Sequence, residues 1–154
     1  MGIFRKGAIL PAVLIFLILG FNKTAVASDI ILNDLGGSPV NLFSPENKPA
    51  ILFFWTTWCP YCRKEIKTLN QNYAQMKKEG ITLFAVNIGE SSDNVQRFFK
   101  DYVLNFRALL DRDGEAADNY DVIGVPTYIF LNKSGRITSR ENTLPADYKK
   151  LLLK

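Results

Sequence analysis

The spacing of apolar residues changes period several times along the chain. Ile51-Leu52-Phe53-Phe54-Trp55 is an unbroken apolar run, the mark of a strand buried on both faces of a sheet. From 62 to 79 the residues Ile66, Leu69, Tyr73 and Met76 recur at steps of three and four, which predicts an amphipathic helix that Gly80 ends. Residues 81–88 read as a second buried strand. Residues 92–102 predict a helix begun by Ser91 or Ser92, with Val95, Phe98 and Phe99 on one face. A short strand over 106–110, a short helix over 115–120 and a third core strand over 125–131 follow. Asn132-Lys133-Ser134-Gly135 turns that strand into 136–139, and 145–153 is a closing helix. Upstream, 30–42 holds two short apolar runs around Gly36-Gly37-Ser38-Pro39, a turn.

Strands that alternate with helices imply parallel pairing through crossover connections, and the last hairpin adds an antiparallel edge. The expected architecture is a three-layer α/β domain with a mixed sheet. No internal repeat, low-complexity run or linker interrupts it.

The first residues have another pattern. Arg5 and Lys6 precede an apolar run of fourteen residues, 8–21, interrupted only by Pro11, and Ala25-Val26-Ala27-Ser28 follows. A basic start, a short apolar run and a small-x-small ending predict a secretory signal peptide over 1–27, cleaved after Ala27. The alternative is an uncleaved membrane anchor over 8–21, although a spanning helix wants about 20 apolar residues. The remaining residues, 28–154, form one domain of ordinary size. The formal charge of +4 then changes meaning. Residues 1–27 hold Arg5, Lys6 and Lys23 and no acid, so 28–154 carry only +1. That balance has no electrostatic footprint for nucleic acid.

The chain has two cysteines and no histidine. A structural zinc site draws about four ligands from thiolates, imidazoles and carboxylates, so no metal is expected. Cys–His and Ser–His catalysis is excluded. What remains is Trp58-Cys59-Pro60-Tyr61-Cys62, placed between a buried strand and the start of a helix. Cys59 falls at the helix cap and Pro60 at the first helical position, where a missing N–H costs nothing. Free N–H groups and the helix dipole there favour a thiolate at Cys59. Cys62 lies one turn further in, more shielded, placed to resolve a mixed disulfide. A purely structural bridge is a poor alternative, since so short a loop gains only about 2 kcal/mol. Trp58 and Tyr61 flank the thiols as an apolar rim, whereas Trp55 belongs to the core and the Lys and Glu positions of the first helix read as a solvated face.

The segment 54–62, with Lys64-Glu65 behind it, resembles the active-site segment of the thioredoxin superfamily, and within it the TlpA/ResA-like thiol–disulfide oxidoreductases. Val86-Asn87-Ile88-Gly89-Glu90-Ser91 is similar to that family's strand end before an inserted helix. Tyr120-Asp121-Val122-Ile123-Gly124-Val125-Pro126-Thr127 is similar to its cis-proline segment, and 131–137 to its hairpin. The resemblance covers about 30–153. It implies a thioredoxin fold with an N-terminal β-hairpin and a TlpA/ResA-like βα insertion. It implies a cis Val125–Pro126 bond facing the cysteines, and a Glu90 carboxylate near them that tunes thiol acidity or relays protons; the alternative for Glu90 is a solvated loop acid. It implies no cofactor beyond a redox-active Cys59–Cys62 disulfide.

By the same resemblance, the function expected is disulfide reduction in exported proteins. Candidate substrates are apocytochromes c, with electrons from a membrane thiol–disulfide donor and the domain acting as a monomer in the periplasm or another extracytoplasmic space. Pro60-Tyr61 departs from the Glu-Pro or Pro-Pro many members carry, so a dithiol oxidase is the alternative. Thr56, three residues before Cys59, has the spacing of a thiol peroxidase, but Leu52 stands where those enzymes place proline. A non-enzymatic binding module usually loses one or both cysteines, and here both are present.

Overall fold

The computed structural model describes Gly2 and residues 29–153. The signal-peptide or anchor segment and its cleavage site lie outside the described residues. Seven strands and four helices follow in the order β1 (Ile31–Asp34), β2 (Pro39–Asn41), β3 (Ala50–Trp55), α1 (Pro60–Lys78), β4 (Thr82–Ile88), α2 (Ser92–Asp101), β5 (Arg107–Asp111), α3 (Glu115–Asn119), β6 (Thr127–Leu131), β7 (Ile137–Glu141) and α4 (Tyr148–Leu151). They form one mixed sheet in the order β2-β1-β5-β4-β3-β6-β7. β3, β4 and β5 run parallel, β6 and β7 continue antiparallel from β3, and the β1–β2 hairpin closes the other edge against β5.

β3 explains the unbroken apolar run. Ile51, Phe53 and Trp55 pack on the face covered by α1 and α2, with Ile66, Leu69 and Val95. Ala50, Leu52 and Phe54 pack on the other face with Leu32, Val40 and the α3 residues Ala116 and Ala117. Both faces are covered, so alternation has no role and the strand is apolar throughout. This is the expected three-layer thioredoxin architecture, with the βα insertion as α2 and β5.

Most boundaries fall within one residue of the sequence reading; β7 ends two residues later, at Glu141, and β6 and α4 differ for local reasons. α1 begins at Pro60 with Cys59 as its cap, where the capping argument puts it and two residues ahead of the apolar rhythm over 62–79. β6 begins at Thr127, since Pro126 has no N–H for the ladder. α4 spans four residues instead of nine. Around it Tyr148 N–H bonds the Pro145 carbonyl and Leu152 N–H bonds the Lys149 carbonyl, steps of three that wind tighter turns than an α-helix.

At the lower end of the sheet, Lys48 and Pro49 lead into β3. The Lys48 ammonium is half-buried and donates to the Leu42 carbonyl. No carboxylate pairs with it among the described residues, and burial pulls its pKa down to about 8. The folded state therefore sheds this proton before the unfolded chain does, and stability should rise as pH climbs from about 8 towards 10. Thermal melts at about pH 7.5 and about pH 9.5 are expected to show that rise in the natural protein and a flatter response in Lys48→Met. Equal slopes in the two proteins would mean that the ammonium is solvated.

Candidate active site

The upper end of β3 delivers the cysteines. Trp55 ends the strand, and the Cys59 N–H bonds the Thr56 carbonyl at 3.4 Å. Cys59 then caps α1 in an extended conformation, φ −80° and ψ 112°, with Pro60 in the first helical turn. The Cys62 N–H donates to Cys59 Sγ at 3.1 Å. The cap is a sulfur where Ser, Thr or Asp would ordinarily stand, so a free helical N–H points at the atom that carries charge in a thiolate. Cys59 and Cys62 are joined as a disulfide with their Cα atoms 5.3 Å apart. Cys62 is fully buried and Cys59 is 3% exposed, so solvent meets the bridge through Cys59.

The loop before β6 supplies the opposite wall. The Val125–Pro126 bond is cis, as the family resemblance implies, and Lys48–Pro49 is cis as well. The Val125 carbonyl oxygen lies 3.8 Å from Cys59 Sγ. Trp58 and Tyr61 stand out from the surface at 69% and 73% exposure, and Ile123, on the loop that carries Val125, is fully exposed. The apolar rim expected from Trp58 and Tyr61 is present, and Ile123 extends it.

Glu90 sits just beyond β4, at the same sheet end. It is not a solvated loop acid. Its carboxylate accepts from the Thr57 N–H at 2.7 Å, the Thr57 hydroxyl at 2.5 Å and the Asn87 amide at 2.7 Å. The Thr57 carbonyl in turn accepts from Arg63 Nε at 3.2 Å and Nη2 at 3.0 Å, and the guanidinium lies 5.8 Å from the centre of the Phe98 ring. Every polar group of Thr57 is thus held by a charged side chain, two residues ahead of Cys59. Glu90 fixes the loop that presents Cys59, a route to the thiols that runs through Thr57.

Glu90→Ala should therefore cost about 1–3 kcal/mol, since it strips acceptors from the Thr57 N–H and the Asn87 amide. Glu90→Gln should cost less. The buried Asn87 Oδ1 has no partner among the described residues, and a flipped Asn87 amide can accept from the new Gln. Both variants are expected to shift the pH profile of thiol alkylation, followed alongside thermal melts. An unaltered profile in both would leave Glu90 a purely structural clamp. A coupled dithiol titrates in macroscopic steps, so the shift belongs to the pair.

Glu65 is a site neighbour that the periodicity concealed. The Lys and Glu positions of the first helix read as a solvated face, yet Glu65 is only 8% exposed. Its carboxylate accepts from the Tyr128 hydroxyl at 2.7 Å and from the Leu144 N–H at 3.1 Å. Burial, and then the bond to Glu65, push the Tyr128 phenol well above its ordinary pKa. This tie joins α1, one turn beyond Cys62, to β6 and the segment before α4.

Among the described residues no group of three or more Cys, Asp or Glu side chains is placed to hold a metal ion. The chemistry the site offers is exchange between two sulfurs and a partner disulfide or dithiol.

Comparison with known proteins agrees with this geometry. The model of the AhpC/TSA family matches residues 24–140. The thiol-disulfide oxidoreductase ResA of Bacillus subtilis is 37% identical over 111 residues; the alignment covers 72% of this chain and 62% of that protein. The soluble secreted antigen MPT53 of Mycobacterium bovis is 33% identical over 149 residues, covering 93% of this chain and 85% of the antigen. Among solved structures, a thiol:disulfide interchange protein of DsbE type from Chlorobium tepidum superposes with a TM-score of 0.72 at 27% identity, covering 82% of this chain and 92% of that one. The chain belongs to the AhpC/TSA family of the thioredoxin superfamily, among its thiol–disulfide oxidoreductases.

Proposed function

We propose that this oxidoreductase works outside the cytoplasm as a disulfide reductase of exported proteins, apocytochromes c included. The observation that carries the reading is the Cys59 sulfur at the N-terminus of α1, accepting the Cys62 N–H and lying beside the Val125 carbonyl. In the reduced protein, the Cys59 thiolate attacks one sulfur of the partner's disulfide. A mixed disulfide forms, and the partner's other sulfur leaves as a thiolate that takes up a proton. Cys62, once deprotonated, attacks Cys59 Sγ and frees the second partner sulfur. Two electrons pass to the partner and the Cys59–Cys62 bridge is formed. A thiol donor at the membrane then returns two electrons to that bridge. Pro126, Val125 and the rim of Trp58 and Tyr61 receive the partner chain, and Pro60 sets the helix start. The signal-like pattern over 1–27 supports export, as does the likeness to a secreted antigen.

The measurement that decides direction is the reduction potential of the pair in glutathione buffers. A value near roughly −270 mV, that of thioredoxin, is expected for a reductase, whereas one near roughly −120 mV belongs to a strong oxidant. The Pro60-Tyr61 pair is what keeps the oxidase as the competing reading.

A further inference from the structure

The end of the sheet opposite the disulfide carries a second surface with its own chemistry. A pocket of about 500 Å³ opens there, with Lys48, Lys133 and Lys149 around it and Pro49, Ile81 and Leu152 in its wall. Leu153, also in the wall, is 81% exposed. Cations around an apolar floor match an amphipathic anion better than a free salt ion. Lys77 and Lys78 close α1 beside the pocket residue Glu79, and Lys150 follows Lys149. Those six lysines face three acids in the same segments. Glu79 is taken by Lys149 and Asp147 lies 3.7 Å from Lys150, so Glu46 is the third. Lys48, Lys77, Lys78 and Lys133 are left without a carboxylate partner among the described residues. The rest of residues 28–154 leans the other way, since the whole segment carries only +1.

The chain also enters the domain at this end. Asp29 accepts from the Asn41 amide at 3.0 Å, Leu42 N–H bonds the Ile30 carbonyl, and Lys48 reaches the Leu42 carbonyl. In the uncleaved-anchor alternative, residues 22–28 separate that entry from the apolar run 8–21. Seven residues span at most about 25 Å.

We propose that this lysine-rich end is a docking surface for an anionic phospholipid membrane, with the pocket receiving a lipid headgroup and Leu153 meeting the acyl boundary. The proposal takes its extracytoplasmic setting from the reading above and is independent of the direction of electron flow. It has a consequence for that chemistry. The disulfide would face away from the bilayer by at least the length of the six-residue β3, about 20 Å. An electron donor must then present its thiols on a part that projects by a similar distance.

The test uses the full chain with vesicles of phosphatidylcholine alone, or of equal parts phosphatidylcholine and phosphatidylglycerol. Lysines are acylated briefly and mapped by mass spectrometry. Lys77, Lys78, Lys133 and Lys150 should react about fivefold more slowly on the anionic vesicles, and about 0.5 M salt should abolish the difference. Lys64 and Lys67, beside the disulfide, should react equally on both. Equal labelling at the lower end overturns the proposal. So does the same protection by inorganic phosphate without vesicles, which would mark a small-anion pocket. A triple variant, K77Q/K78Q/K133Q, changes exposed positions only and should keep its fold and its dithiol activity while Lys150 loses protection. Retained protection in that variant also contradicts the proposal, whereas lost activity with protection as expected would bear on the redox reading alone.

Discussion

Cys59→Ser is expected to lower the rate of insulin disulfide reduction by about a thousandfold or more, because it removes the attacking sulfur and leaves only Cys62, fully buried in the first turn of α1. Stability should change little, since the bridge closes a loop of four residues and contributes about 2 kcal/mol at most. Cys62→Ser should behave differently. Attack by Cys59 survives, resolution does not, and the protein accumulates as a mixed disulfide through Cys59 that dithiothreitol releases. Non-reducing electrophoresis with mass spectrometry of the trapped species reads both outcomes and identifies the natural partners. A Cys59→Ser protein that keeps a tenth of the natural rate would overturn the assignment of the nucleophile.

The second large effect concerns stability. Glu65→Ala should cost about 2–4 kcal/mol, as it leaves the Tyr128 hydroxyl and the Leu144 N–H without an acceptor in a buried setting. Removing both members of the principal pair is a different case. Glu65→Leu combined with Tyr128→Phe exchanges a buried polar contact for an apolar one of similar shape, and should recover much of the loss. Phe53, whose ring centre is 4.8 Å from that of Tyr128, offers the surface for it. Urea unfolding of the single and double variants gives the coupling energy. Additive losses would show that the bond between Glu65 and Tyr128 contributes nothing of its own.

Glu65 also shows where the sequence is readable and where it is not. The placement of β3, α1 and β4 follows from local patterns, because an apolar run and a three-four rhythm are imposed by burial along each element. Cys59 as cap and Pro60 at the helix start were readable for the same reason: capping is a local event. Glu65 had a signal that was available but outweighed. Cys62, Glu65, Ile66 and Leu69 stand at i, i+3, i+4 and i+7, so a carboxylate lay on the apolar stripe. Its neighbours Lys64 and Lys67 pulled the reading towards a solvated face. The grip of Glu90 and Arg63 on Thr57 had no local signal. It joins residues 33 apart in the chain on one side and six apart on the other, and only the parallel pairing of β3 with β4 brings Glu90 to Thr57. The closing helix was overextended because its apolar residues fit a helical period, while the backbone there turns in steps of three. The cis bond at Lys48–Pro49 had no sequence mark beyond proline itself.

The proposed chemistry divides the labour, with Cys59 attacking and Cys62 resolving. Its most direct test is alkylation of the fully reduced protein with a limiting amount of iodoacetamide at mildly acidic pH, followed by peptide mapping. The label should fall on Cys59, whose sulfur accepts the Cys62 N–H at the start of α1 and whose residue carries the pair's exposure to solvent. Label found first on Cys62 would contradict the account.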